Sequence, residues 1–166
     1  MPAVVVDTSV LITLAAGEQF NLLRDFYGHI YIPPAVWDEV SASSRPFGLP
    51  EVRRARDENW LSLRQPVSLE AIRGLPFNLQ QGESEALALA LALPNALLLV
   101  DDAQGRRAAH ALGLHYTGTL GVLLRAKTET RIPELRPVLE RLRQRTTFWL
   151  SDTLYETVLR SVGETP

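Results

Sequence analysis

Residues 97–109 read "LLLVDDAQGRRAA". Four consecutive apolar residues, Leu97 to Val100, have the length and character of a strand covered on both faces. That run ends on two adjacent carboxylates, Asp101 and Asp102, after which the chain adopts a helical pattern, "QGRRAAHAL", closed by Gly113. A strand that presents acids at its carboxyl end and then feeds a helix is the repeating unit of a parallel α/β sheet. Burying a carboxylate there is costly unless something of opposite sign meets it.

The same unit recurs on both sides. "AVVVD" (3–7) is a β-branched strand, followed by "TSVLITLAAG", in which Val10, Leu11 and Leu14 recur at helical spacing. "HIYIP" (29–33) is a second strand stopped by Pro33 and Pro34, and prolines in a first turn lead into the helix "AVWDEV". "NWLSLRQ" alternates Trp60, Ser62 and Arg64 with Leu61 and Leu63, as a third strand does. Between them "SASSRPFGLP" is a loop, with a helix expected from Pro50 through Arg56.

Further along, "GESEALALALAL" has high helix propensity and stops at Pro94, "ALLLV" is the fourth strand and "LHYTG" the fifth. Three helices complete the chain: "GTLGVLLRAK", "PELRPVLERLRQR" and "SDTLYETVLRSV". Strands alternating with helices predict a three-layer α/β/α fold around a parallel sheet of about five strands. One domain over 1–166 is expected, with a helical C-terminal extension from about residue 128.

Composition bounds the rest. A chain with 46% hydrophobic and 22% charged residues is of the soluble globular type. There is no cysteine, hence no disulfide and no thiolate metal site, and His29, His110 and His115 lack zinc-site spacing. "MPAVVVDTS" does not read as a signal peptide, and the longest apolar run, "ALALALALPNALLLV", is cut by Pro94 and Asn95, short of the ~20 residues that span a bilayer. A cytoplasmic protein is expected. The net charge of −2 does not advertise a nucleic-acid binder, but Lys127 is the only lysine, and arginines cluster at 53–56, 106–107 and 136–145. Each cluster reads either as a phosphate-binding surface or as a solvated helix face.

In open parallel sheets chemistry gathers beyond the carboxyl ends of the strands. Asp7 ends the first strand and Asp101 the fourth, so both can project from one edge. Glu39 borders the buried stripe of its helix, between Val36 and Val40, and Glu83 lies in the first turn of the Ala/Leu-rich helix. Four carboxylates from four remote segments can thus share one cleft. Glu85 rivals Glu83, and residues two apart on a helix point about 200° apart, so both cannot face it. Ala86, Leu87 and Ala90 extend the face of Glu83.

Plainer readings exist for each residue. An Asp at a strand end commonly caps a helix, and Asp102 can either cap "QGRRAA" or assist at the site. Glu83 alone is a favourable charge at a helix start. Thr119 reads more readily as the N-cap of "LGVLLRAK" than as a site residue, Asp38 as solvent-facing, and Trp37, Trp60 and Trp149 as core or interface rather than base-stacking residues. The joint arrangement of Asp7, Glu39, Glu83 and Asp101 is what these readings do not explain.

"VVVDTSVLI", "IPPAVWDEV", "GESEALALA" and "LLLVDDAQGRRAAHALGL", in that order, resemble the acidic segments of the PIN-domain ribonucleases, and within them the small prokaryotic proteins related to VapC-type toxins. "GTLGVLLRAK" resembles a helix of one subgroup, and together these segments cover residues 3 to about 127. The resemblance implies catalytic and metal-binding roles for Asp7, Glu39, Glu83 and Asp101, divalent-metal-dependent cleavage of single-stranded RNA, usually a homodimer, and for toxin relatives a small inhibiting antitoxin. Many relatives carry Asp where this chain has Glu83.

The chemistry agrees with the resemblance. Crowded carboxylates raise one another's pKa unless a cation compensates, and hard oxygen donors select Mg²⁺ or Mn²⁺. Thr8, Ser9 and Thr119 could hydrogen-bond a ligand carboxylate or a phosphate. Alternatives are a non-catalytic module with the same fold, or an aspartate-dependent phosphatase using Asp7, although such enzymes usually place a second Asp where this chain has Ser9. "DTSVLI" lacks the glycines of a dinucleotide site, and "GLHYTGT" lacks the P-loop lysine.

Overall fold

The computed structural model describes residues 1–166. Five strands of three residues each, β1 (Val4–Val6), β2 (Ile30–Ile32), β3 (Leu61–Leu63), β4 (Leu97–Leu99) and β5 (His115–Thr117), form one sheet. All neighbours pair in parallel, in the order β3-β2-β1-β4-β5. The chain steps outward from β1 to β3 and then crosses back to lay β4 on the other flank of β1. Strand order therefore reverses between β1 and β4, and the crevice of such a sheet opens beyond the carboxyl ends of those two strands.

The alternation of side chains across the sheet divides the core. Val4, Val6 and Leu99 face one layer, whereas Val5, Leu98 and Val100 face the other. On the first face pack α1 (Thr8–Ala16), α2 (Leu22–Tyr27), α4 (Leu49–Asp57), α8 (Thr119–Thr128), α9 (Arg136–Arg145) and α10 (Asp152–Ser161). On the second pack α5 (Glu70–Arg73), α6 (Gln81–Ala92) and α7 (Ala103–Ala111). The remaining helix, α3 (Pro34–Ala42), gives Val36 and Val40 to the first layer and lies along α6. These are the three layers that the sequence predicts. No helix is long and apolar enough to cross a membrane.

Several boundaries differ from the sequence reading. The short helices α2 and α5 carry too few residues to show a period. α4 starts at Leu49, with Pro50 inside its first turn. α9 starts at Arg136 rather than Pro133 because a carboxylate from the end of the chain caps it. The amides of Leu135 and Arg136 donate to Glu164 at 2.6 and 2.9 Å.

The last two helices belong to the first layer, where Val138, Leu139, Leu142, Tyr155, Val158 and Leu159 are buried. Arg145 and Arg141 also donate to the carbonyls of Ala16 and Gly17, at 3.0 and 3.3 Å, a favourable place for cations at the end of α1. The loop between α9 and α10 reaches the carboxyl edge of the sheet, where Thr147 to Leu150 line a groove with Ser9 and Asp101.

Candidate functional site

β1 delivers Asp7 to the crevice. Its amide extends the ladder by donating to the Leu99 carbonyl at 3.0 Å. Asp7 stands at the N-cap of α1, yet its side chain makes no capping hydrogen bond. The residue is 3% exposed, and its Oδ1 has no partner. Burial, reinforced by repulsion from Glu83, Glu39 and Asp101 and opposed by the Thr8 amide, pushes its pKa up to about 7.

Glu83 enters from the first turn of α6 and is likewise buried, with Oε2 unpartnered. Its pKa is pushed up to about 7 by burial and by the charges of Asp102 and Glu39, against a backbone hydrogen bond at Gln80. Glu85 turns away. It accepts from the Ala35 amide at 3.2 Å and from Gln81 Nε2 at 2.8 Å, filling an orphan donor at the start of α3.

The other two acids are held from both oxygens. Glu39 accepts from the Thr8 hydroxyl at 2.6 Å and from the Gly82 amide at 2.9 Å. Asp101 accepts from the Thr119 amide at 2.7 Å and the Thr119 hydroxyl at 2.6 Å. Burial raises the pKa of Asp101, while these bonds and the nearby Arg106 charge oppose the rise.

Two glycines make these contacts possible. A Cβ on Gly82 would lie 2.5 Å from Glu39 Oε2, and one on Gly118 would lie 2.6 Å from Asp101 Oδ1. Sequence reasoning missed both, although each stands immediately before a candidate residue, in "GES" and "TGT".

One reading of a neighbouring residue is corrected by the structure, and one of two open readings is selected. Gly118, in extended backbone, is the N-cap of α8, so Thr119 is not the cap and its hydroxyl is free to hold Asp101. Asp102 does cap α7, accepting from Gln104 and Gly105 at 2.8 and 3.2 Å. It nevertheless lines the cleft. Ser9 has a buried hydroxyl without a partner there.

Asp7, Glu39 and Glu83 line one cleft of about 600 Å³ together with Thr8, Arg45 and Gln80. Asp101 lines an adjoining cleft of about 620 Å³, and Ser9, Thr13, Asp102 and Thr147 form the wall common to both. The four acids are therefore brought to one edge of the sheet, but less tightly than four acids sharing a single cleft. No three acidic or histidine side chains form a ready-made ligand cage. The reason is electrostatic. Like charges repel, and Glu39 and Asp101 are each drawn to their own hydrogen-bond donors, Thr8 with Gly82 and Thr119.

A divalent cation nevertheless fits the chemistry of this donor set. All donors are hard oxygens, and two buried carboxylate oxygens lack any partner. No guanidinium neutralises them, since every ion pair of the protein lies elsewhere. Each of the buried acids Asp7 and Glu83 is kept near neutrality in its proton affinity, which is the state a cation would relieve.

Residues 3–164 match the family model DUF3368, described as a PIN domain. No curated protein matches the chain.

Proposed function

The chain belongs to the PIN-domain family, a nuclease fold, and from that premise we propose that it is a Mg²⁺- or Mn²⁺-dependent endoribonuclease hydrolysing phosphodiester bonds of single-stranded RNA. The observation that carries this reading is the pair of buried, unpartnered oxygens on Asp7 and Glu83, with both pKa values pushed up to about 7. A site that crowds unpaired carboxylates away from solvent is destabilised unless it serves to collect positive charge.

Asp7 and Glu83 offer the free oxygens for the ion, and Glu39 and Asp101 complete the set. Thr8 and Gly82 orient Glu39, and Thr119 orients Asp101, as outer hydrogen bonds do for ligating carboxylates. Once bound, the ion would supply a Lewis acid for the scissile phosphate and a water acidic enough to act as nucleophile near neutral pH. The Ser9 hydroxyl, unpartnered beside Asp7, can donate to a phosphate oxygen. Arg45 on the same wall is free of ion pairs and can neutralise a flanking phosphate.

A toxin role, with a small antitoxin holding the nuclease inactive and a homodimer as the active particle, rests on the likeness of the four acidic segments to VapC-type proteins alone.

The deciding experiment incubates labelled single-stranded RNA with wild type and Asp7→Asn, with Mg²⁺, Mn²⁺ or EDTA. Cleavage by wild type only, abolished by EDTA, is expected. Equal cleavage by both proteins would identify a contaminating nuclease. Cleavage by neither, across metals and substrates, would favour a non-catalytic binding module. A phosphorylated Asp7 would instead favour a phosphatase.

A further inference from the structure

Trp149 is 76% exposed in the single chain, so of the core and interface placements that its sequence context suggests, the core one is ruled out. The other two tryptophans are engaged. Trp60 is buried against Phe20 and donates to Glu58, and Trp37 carries Arg56 4.6 Å from its ring centre. The Trp149 ring has no aromatic or guanidinium neighbour within the protein.

Its backbone, however, is anchored on both sides. The Phe148 amide donates to Thr146 Oγ1 at 3.0 Å, Leu150 is buried, and Ser151 caps α10 by accepting from the Leu154 amide at 3.1 Å. A fixed loop thus presents an open indole to solvent, which loses hydrophobic stabilisation unless a ligand covers it.

That indole lines the same groove as Asp101. Ser9, Arg106, Phe148 and Leu154 are also part of this groove, whose wall is shared with the cleft of Asp7, Glu39 and Glu83. Arg106 is exposed and outside every ion pair. Past Arg106 the surface continues over Arg107, His110 and Tyr116. Acid cleft, exposed indole and arginines outside every ion pair, Arg106 lying 5.8 Å from the Tyr116 ring centre, follow one another along one track, which is the composition that holds an unpaired, negatively charged strand. A protein partner fits this surface less well. The apolar positions Tyr155, Val158 and Leu159 of α10 are already buried, and Leu120, Leu124 and Phe148 in the groove are largely covered, leaving Trp149 and the half-exposed Leu154 as its exposed large apolar side chains. So small an exposed apolar surface falls short of the roughly 800 Å² per partner of a stable protein interface.

We propose that Trp149 is the stacking platform for an unpaired nucleobase next to the scissile phosphate of a single-stranded RNA, with Arg106 holding a phosphate beside it. This rests on the nuclease reading for the identity of the strand, but it concerns binding and is tested by binding. Trp149 acts as a positioning residue: it registers the strand over the acids and takes no part in the bond-breaking step.

The test uses the full chain carrying Asp7→Asn, so that bound RNA stays intact, with Mg²⁺ present and a fluorescein-labelled single-stranded RNA as probe. Against this parent, Trp149→Ala weakens binding roughly tenfold and Trp149→Phe keeps most of it, because a base stacks on any aromatic ring and not on a methyl group. A probe of the same length built from abasic nucleotides binds the parent and Trp149→Ala alike. Arg106→Ala weakens both probes and lowers the salt dependence by about one phosphate contact. Indole fluorescence is quenched on binding in the parent and not in Trp149→Phe.

Unchanged binding by Trp149→Ala, an equal loss with the abasic probe, or failure of the parent to bind RNA would overturn the proposal. Dissociation of a dimer by Trp149→Ala in sedimentation would assign the surface to a second copy instead. The two readings fail separately. Binding that depends on Trp149 without any cleavage by wild type removes the nuclease and keeps the platform, whereas cleavage with binding indifferent to Trp149 does the reverse.

Discussion

Thr119 holds both oxygens of Asp101, its amide on Oδ1 at 2.7 Å and its hydroxyl on Oδ2 at 2.6 Å. No comparable bond reaches Oδ1 of Asp7 or Oε2 of Glu83. The acidic edge of the sheet therefore contains two carboxylates held in place by the protein and two left open. This division sets what each substitution is expected to do.

Thr119→Val removes the hydroxyl and keeps the amide. Asp101 then loses one of the hydrogen bonds that oppose the rise of its pKa by burial. RNA cleavage is expected to fall about tenfold, as for other groups that orient a metal-ligating carboxylate, and the rise of rate with pH to move toward higher pH. A rate profile with unchanged midpoint and height would show that the hydroxyl has no such role.

Gly82→Ala places a methyl group 2.5 Å from Glu39 Oε2, so the carboxylate must move. A displacement near 1 Å at such a site costs about a hundredfold in rate. Single-turnover cleavage should show that loss, with circular dichroism confirming that the helical content is kept, since alanine is the better helix former. Full activity in this variant would place Glu39 outside the reaction.

Glu83 and Glu85 separate cleanly. Glu83→Gln removes a free oxygen from the cleft and is expected to lower cleavage by about a hundredfold or more, the effect of losing a few kcal/mol of transition-state stabilisation. Glu85→Gln touches the bonds to Ala35 and Gln81 only and is expected to alter the rate by less than about threefold while costing about 1 kcal/mol of stability. Kinetics of the two variants side by side decide it, and a reversed order would exchange their roles.

Stability without metal should fall as pH rises from about 5 to 8. In the folded state Asp7 and Glu83 bind protons up to about pH 7. The unfolded chain releases them near pH 4. Between those values the folded state holds more protons, so raising the pH favours unfolding until both groups are ionised in both states. Melting in EDTA across this range should show the decline, and Asp7→Asn should flatten it and melt higher than wild type at pH 8. Mn²⁺ should reverse the trend, raising the midpoint more at pH 8 than at pH 6, because the ion competes with those protons. An upward slope of stability in EDTA would contradict the burial of these groups as charge-deprived acids.

Much of this arrangement is legible in the chain. The apolar runs 4–6 and 97–100 are buried but for the partly covered Leu97, and an acid follows each because the carboxyl end of a parallel strand is where the chain leaves the sheet. Helical spacing suffices to send Glu83 inward and Glu85 elsewhere. What spacing does not carry is contact across the fold. Thr119 looks like an N-cap because threonine precedes a helix, and only the extended backbone of Gly118 moves the cap back by one residue. Trp149 looks like core because it is apolar and lies between Phe148 and Leu150. Its loop has no period from which to read a direction, and Leu150 alone of the three turns fully inward. The close approach of Gly82 to Glu39 joins residues 43 apart and leaves no local sign beyond the glycine itself.

The most direct measurement is a Mn²⁺ titration followed by the electron paramagnetic resonance of the free ion, on wild type and on the Asp7→Asn, Glu83→Gln double variant at pH 8. Wild type is expected to remove Mn²⁺ from the free signal in a saturable way, to do so less at pH 6, and to be displaced by excess Mg²⁺, whereas the double variant leaves the signal untouched. Equal uptake by both proteins, or uptake by neither, would contradict the claim that the open carboxylates of Asp7 and Glu83 exist to gather a divalent cation.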